Sequence, residues 1–230
     1  MAVIHRTTME PGKLELIAAW LPSQPWYGGA AGVVPDPAKA GGFRLEDPEG
    51  EVGIEFMVVT DASGTAPEAY LVPLTYRAAP LEGAEEGLVG TSEHGVLGLR
   101  WIYDGTHDPV LVAQLLALLQ GKAEAQHQNE SDTPDPTVTP SYAGPGLTAG
   151  PGAAPAVSHT AGGTAIAVAA DGDGGPLTLE VTRRLRPGAG GDAAADVRGH
   201  VTAGWTAPDG STVRGVFAAL RGTAGDAQGR

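Results

Sequence analysis

There is no cysteine anywhere in the 230 residues, so disulfides, thiolate nucleophiles and cysteine-ligated metals are excluded from the start. Basic residues are scarce. Only 14 Lys and Arg stand against 27 Asp and Glu, giving a net charge of −13 and a pI near 4.7. A nucleic-acid partner needs a basic surface to neutralise its phosphates, and an anionic membrane repels the same excess of carboxylates. Neither partner is expected. Long apolar runs are missing too: the longest, Val110 to Leu119, falls well short of the roughly 18 residues a helical membrane span requires. Met1 to Thr8 lacks the charged start and apolar stretch of a secretory leader. Together these absences lead to the expectation of a soluble, cytoplasmic protein.

What is plentiful sets the organisation. Hydrophobic residues make up 42% of the chain, enough for one medium core, but 35 Gly and 19 Pro are too many for a chain ordered end to end. Ala2 to Thr8 reads as a short strand. Lys13 to Leu21 places Leu14, Ile17, Ala18 and Leu21 at helical spacing, and Pro22 stops the helix. Ser23 to Pro37 is loop, carrying two aromatics expected to be exposed, Trp26 and Tyr27. Strands follow at Phe43 to Glu46, at Glu51 to Thr60 with Val52, Ile54, Phe56 and Val58 on one face, and at Tyr70 to Arg77. Pro73 within the last suggests an edge strand or a bulge. Asp108-Pro109 opens the clearest helix, with Asp as N-cap and Pro at the first helical position, ahead of Leu111, Val112, Leu115, Leu116, Leu118 and Leu119.

From Asn129 to Gly163 six prolines stand among Gly, Ala, Ser and Thr without periodicity. Such composition buries too little apolar surface to offset the entropy of ordering it. Alternation resumes with Leu177, Leu179, Val181 and Leu185, then Val201, Ala203 and Trp205, a turn at Ala207 to Gly210, and a return strand from Val213 to Leu220. These strands are too few to stand alone and are expected to join the earlier sheet. The expected architecture is α+β: a curved antiparallel β-sheet with a few flanking helices, a single domain interrupted by a disordered insertion. Its divisions are 1–128 for the first α+β region, 129–163 for the insertion, 164–221 for strands completing the sheet, and 222–230 for a disordered tail.

Chemistry is hard to find. The six histidines, at 5, 94, 107, 127, 159 and 200, form no close metal spacing. Asp104-Gly105-Thr106-His107-Asp108 can be read as an acid/base or metal site, or as a capped helix start, and the second reading needs no extra assumption. Asp171 to Gly175 begins like a calcium loop, but Thr182 stands where the twelfth-position Glu belongs, so a hairpin turn is expected. Glu82, Glu85 and Glu86 read as a solvated face rather than a paired-carboxylate site. Gly28, Gly29 and Gly32 form a weak phosphate cradle, with no strand feeding it and no helix following. No catalytic, metal-binding or cofactor-binding residue is expected, and no cofactor.

Leu14 to Gly29, reading Leu-Glu-Leu-Ile-Ala-Ala-Trp-Leu-Pro-Ser-Gln-Pro-Trp-Tyr-Gly-Gly, resembles the opening of actinobacterial maltokinases. Their pattern is a short helix, then Leu-Pro-x-Gln-Arg-Trp-Phe, glycines and a lysine. Tyr70-Leu71-Val72-Pro73-Leu74 and Tyr103 to Pro109 are similar to later segments of the same cap, and the resemblance covers about the first 125 residues. It implies a curved sheet with flanking helices, which in those enzymes sits on a kinase feeding α-glucan synthesis beside trehalose synthase. Pro25 and Ala30 or Ala31 stand where the family has Arg and Lys. The kinase's His-Gly-Asp loop is missing, and His94-Gly95-Val96 cannot replace it. The resemblance therefore implies an accessory or regulatory cap-like protein without kinase lobes. Its partner would be a sugar kinase, trehalose synthase or glucan branching enzyme, met through Gln24, Trp26, Tyr27, Gly28 and Gly29. Two alternatives are a carbohydrate-binding module for maltose or α-glucan using Trp26 and Tyr27, and a residual ATP-dependent sugar kinase.

Overall fold

A computed structural model describes residues 8–130, 132–148, 154–170, 175–188 and 196–222. The first elements are β1 (Met9–Glu10), α1 (Lys13–Trp20), β2 (Pro37–Leu45), β3 (Gly53–Asp61), β4 (Glu68–Arg77), β5 (Leu88–His94) and β6 (Gly98–Asp104). Then come α2 (Pro109–Leu119), β7 (Gln126–His127), β8 (Thr139–Tyr142), β9 (Leu147–Thr148) and β10 (Val157–His159). The last are β11 (Gly163–Ala170), β12 (Pro176–Thr182), β13 (Arg184–Leu185), β14 (Val197–Thr206) and β15 (Thr212–Gly222). All the strands join one antiparallel sheet, in the order β1-β5-β6-β4-β3-β2-β14-β15-β12-β11-β10, with β13, β7, β8 and β9 pairing at its sides. The protein is α+β, a single domain built on a large open antiparallel sheet with two helices. Among the described residues no helix is long and apolar enough to cross a membrane.

Two cores explain the curvature. On one side of the first strands, α1 buries Ile17, Trp20 and Leu21 against Met57, Val59, Tyr70, Val72, Leu74 and Ile102. On the other side, Phe43, Ile54, Phe56, Val58 and Leu71 meet the apolar stripe of α2 and the inner faces of β11, β12, β14 and β15. Phe217 stands 6.0 Å from both Phe43 and Trp205, so the two halves of the sheet face one another. Only one residue pair, Trp205 with Gly41, links β14 to β2, and that is where the sheet folds over.

Several elements follow the sequence closely. Asp108 caps α2, its carboxylate accepting from the Val110 N–H at 2.9 Å. Others differ. Pro73 lies in neither an edge strand nor a bulge: β4 is interior, between β3 and β6. The Leu71 N–H points towards β13, bonding Arg183 O at 2.9 Å, so the proline nitrogen two residues on faces the same side. There β13 pairs only as far as Tyr70 and β6 only from Leu74, and no ladder donor is needed. The hairpin of β5 and β6, and strand β11, carried no alternation strong enough to be read from sequence.

Within 129–163, expected to lack order, three short strands lie on the sheet. β8 pairs with β14, β9 with β11 and β10 with β11. Strand edges supply backbone hydrogen bonds that require no apolar periodicity. Val138 and Leu147 are buried, the Gln120 side chain clasps both backbone groups of Leu147, and Arg214 donates to Thr137 O and Thr139 Oγ1. The short strand expected from Ala2 lies almost wholly outside the described residues, as do His5, the turn at 171–174 and the tail from 223.

Candidate functional site

The loop after α1 arises because Pro22 and Pro25 deny the helix its next donors. The chain turns on the Gln24 and Tyr27 N–H groups, which bond Leu21 O and Gln24 O. Trp26 is not exposed as its loop setting suggested: it is 1% accessible. One neighbour is Trp20, edge-on with centroids 5.6 Å apart, and another is Tyr70 at 6.0 Å. Over the ring sits the Arg183 guanidinium, its Cζ 4.9 Å from the centroid. With its faces packed, the indole has no surface to offer a sugar.

The other four candidates stay nearer the surface. Tyr27 is half-buried and donates its hydroxyl proton to Asp61 at 2.6 Å, and its ring lies 5.4 Å from Tyr70. Burial, then the Asp61 carboxylate, push the Tyr27 phenol above its ordinary range. Burial alone would raise Asp61, but hydrogen bonds from Tyr27, Ser63 and the Asp36 N–H hold it lower. The Gly28 N–H donates to the Tyr70 hydroxyl at 3.2 Å, while Gly29 lies so close to the Tyr27 hydroxyl that a methyl group there would overlap it. Gln24 donates to Ser23 Oγ at 2.9 Å. The five residues thus share one turn, yet Trp26 belongs to the core.

The Asp104 to Asp108 segment is a pair of buried ion pairs. Asp104, Thr106 and Asp108 are fully buried, with Arg77 gripping Asp108 through two bonds of 2.6 and 2.7 Å. Asp104 caps a short 3₁₀ turn and accepts from Arg183 Nη2 at 2.6 Å. Arg183 is itself 0% exposed, with Nε donating to Thr164 Oγ1 and Nη1 left without a partner. His107 and His159 approach with ring centroids 6.2 Å apart. Among the described residues no three His, Asp or Glu side chains are placed to hold a metal. Glu82, Glu85 and Glu86 are exposed, and Glu85 accepts the Gly83 N–H.

Sequence reasoning passed over two of the buried charges. Glu55 is 3% exposed and accepts from Lys13 Nζ at 2.6 Å, Tyr76 Oη at 2.6 Å and Gln128 Nε2 at 2.9 Å. Burial would raise its pKa, but the Lys13 charge, the hydrogen bonds from Lys13 and Tyr76 and the Arg44 charge hold it below the usual value. Arg183 falls in the same alternation as Leu179, Val181 and Leu185, so a charge on the apolar phase was the available signal.

Among the described residues Val33 and Val34 are exposed in the loop before β2, and four further exposed apolar side chains lie on the β5–β6 hairpin. Leu88, Val96, Leu97 and Leu99 are 40%, 61%, 45% and 40% accessible. Leu88 is opposite Tyr103, Thr91 opposite Trp101 and Glu93 opposite Leu99, so these pairs share the hairpin face turned away from α1. Val96 and Leu97 form its tip. The inner face holds Gly90, packed under Leu16, and Ser92, which bonds Pro11 O.

No curated protein matches this chain. The family model of the maltokinase N-terminal cap domain matches residues 20–108, which span the end of α1, strands β2 to β6 and the cap of α2. Over that stretch, the chain carries a maltokinase N-terminal cap domain.

Proposed function

We propose that this protein is a non-catalytic accessory or regulatory subunit, acting in the cytoplasm in trehalose or α-glucan metabolism, that docks onto a protein partner through the β5–β6 hairpin. One observation carries the reading: exposed Val96, Leu97 and Leu99 at the hairpin tip, with Leu88 at its base, lie inside the matched cap domain. A single exposed apolar residue needs no explanation, but four on one two-stranded arm support an interaction surface. Glu93 on the same face and Glu85 and Glu86 near its base make the rim acidic. The complementary surface is an apolar groove flanked by Lys and Arg. Candidates from the family resemblance are a sugar kinase, trehalose synthase and a glucan branching enzyme. The carbohydrate-binding alternative rests on Trp26 and Tyr27 as stacking platforms; Trp26 is buried, and the half-buried Tyr27 ring packs on Tyr70 with its hydroxyl bound to Asp61.

The test is a titration of the purified chain against each of the three enzymes, with a Leu97→Asp/Leu99→Asp variant beside it. One enzyme should bind saturably, and the variant should lose at least tenfold in affinity, about 1.4 kcal/mol, with an unchanged circular dichroism spectrum. Failure of all three to bind, or equal binding by the variant, refutes the proposal.

A further inference from the structure

The tip that presents Val96 and Leu97 is held by side chains of its own hairpin. Gly95, Val96 and Leu97 cross from β5 to β6, with His94 opposite Gly98. The Val96 and Leu97 N–H groups donate to His94 Nδ1 at 3.3 and 3.1 Å. Arg100 Nη2 donates to Leu97 O at 2.7 Å, and the Gly95 N–H donates to Thr8 O at 3.0 Å. The imidazole thus does for these two N–H groups what a side-chain oxygen does in an Asx turn.

An Nδ1 that accepts carries no hydrogen, so this ring is neutral and bears its proton on Nε2. Histidine takes up a second proton between about pH 7 and pH 5, and that proton goes to Nδ1. An Nδ1–H then faces two N–H donors, and both bonds are lost. Among the described residues Arg100 shares the face of His94, while Glu93 and its β1 partner Glu10 lie on the other face. Met9 of β1 is opposite His94. Helix α1, packed on the hairpin at Gly90, contributes Lys13 and Glu15, which are engaged with Glu55 and the Gly12 N–H. Arg100 already brings a positive charge to Leu97, so a second cation at the same residue adds repulsion.

We infer that His94 is a pH-sensitive latch on the docking tip: neutral, it holds Val96 and Leu97 in the form a partner meets, and its protonation frees them. The consequence for docking rests on the reading of the hairpin as a partner surface, whereas the latch itself is a property of the free chain. A tip ordered beforehand loses less conformational entropy on binding, so the neutral form binds more tightly. The coupling is reciprocal: a bound partner keeps His94 neutral to lower pH.

The test is an NMR titration of the isotope-labelled chain from about pH 7.5 to about pH 5.5, with His94→Asn and His94→Ala beside it. The Val96 and Leu97 amide signals should shift along the titration curve of the His94 ring. In H94N the carboxamide oxygen can accept the same two N–H groups and takes up no proton in this range, so the signals should stay in place. In H94A the acceptor is gone, and the signals should stand near the acid positions of the wild type at every pH. An enzyme found by the docking titration should bind the wild type about fivefold more weakly at the acid end, and should bind H94N with one affinity throughout. The inference is overturned by tip amides that do not follow His94, by the same titration in H94N, or by an equal loss of affinity in H94N. If no enzyme binds, the docking proposal fails, and the amide titration alone decides the latch.

Discussion

Replacing Arg183 with methionine should destabilise the whole domain. The side chain is 0% exposed and its Nη2 lies 2.6 Å from Asp104, itself 1% exposed. Breaking such a pair from one side strands a charge, which costs about 3–5 kcal/mol. Asp104 keeps the Thr106 N–H and hydroxyl at 3.2 and 3.0 Å, which limits the loss. Trp26 also loses its cation, roughly 1 kcal/mol at a desolvated site. Against this, Nη1 is a buried donor with no partner, and removing it returns about 1 kcal/mol. The net expectation is about 3–4 kcal/mol, or about 6–16 °C in Tm for a chain of this length. Urea unfolding followed by circular dichroism and tryptophan fluorescence measures it. Adding Asp104→Asn removes the stranded charge and should recover about half the loss. A single-variant loss under about 1 kcal/mol, or a double variant no more stable than R183M, refutes the assignment of Arg183 as a buried link between the cap and the later strands.

Two further perturbations test other parts of the structure. At Gly42, with φ +120°, a Cβ would sit 1.9 Å from Phe56 O, so G42A should cost several times the roughly 1 kcal/mol expected for G50A, whose φ of +72° is strained but whose surroundings are open; equal urea midpoints for the two variants would contradict this. The acid limb is set partly by Glu55, whose folded pKa lies below its ordinary 4.5. Its contribution to stability is therefore present above pH 4.5 and is lost as pH falls through the folded pKa. Lys13→Met leaves the burial but removes the counter-charge, so its acid limb should move to higher pH. Asp61 and Glu68 are depressed as well, so only the difference between K13M and wild type isolates Glu55, and superimposable limbs would exclude it.

How far the sequence could be read depended on whether side chains or backbone edges made the contacts. β3 and α2 were legible because their apolar residues recur at periods of two and 3.6 and face a core. The Asp108 cap was legible because capping is local. β11 hid because Ala165, Ala167 and Ala169, between Ile166 and Val168 facing in, are apolar as well, so no polar residue marks the outward face. β8 to β10 hid because they lie along strands already formed, where backbone bonding decides. Trp26 was misplaced for a different reason: the prolines and glycines around it correctly marked a loop. What buries it is Arg183, which lies 157 positions further along the chain, and no local pattern reports that contact.

The two cores show why the matched segment does not account for its own shape. Every buried hydrophobic residue of the α1-side core comes from positions 17 to 102, so α1 and the first strands supply nearly all of that face, with Arg183 lying over Trp26. The opposite face of the same strands, with Phe43, Ile54, Phe56, Val58 and Leu71, is covered by α2 and by residues from Val138 to Leu220. Backbone pairing between the halves is thin, with β14 joined to β2 at one residue pair and β13 to β4 at two. Apolar burial, which has no direction, therefore does most of the joining, while the directional links are the Arg184–Glu68 ion pair and the side chain and backbone of Arg183. Its carbonyl accepts from Leu71 N, its guanidinium reaches Asp104 and Thr106, and its face covers Trp26. Arg183 and Arg184 of the later strands thus tie β4 and β6 to the second half of the sheet, while the β5–β6 hairpin stays outside the shared core.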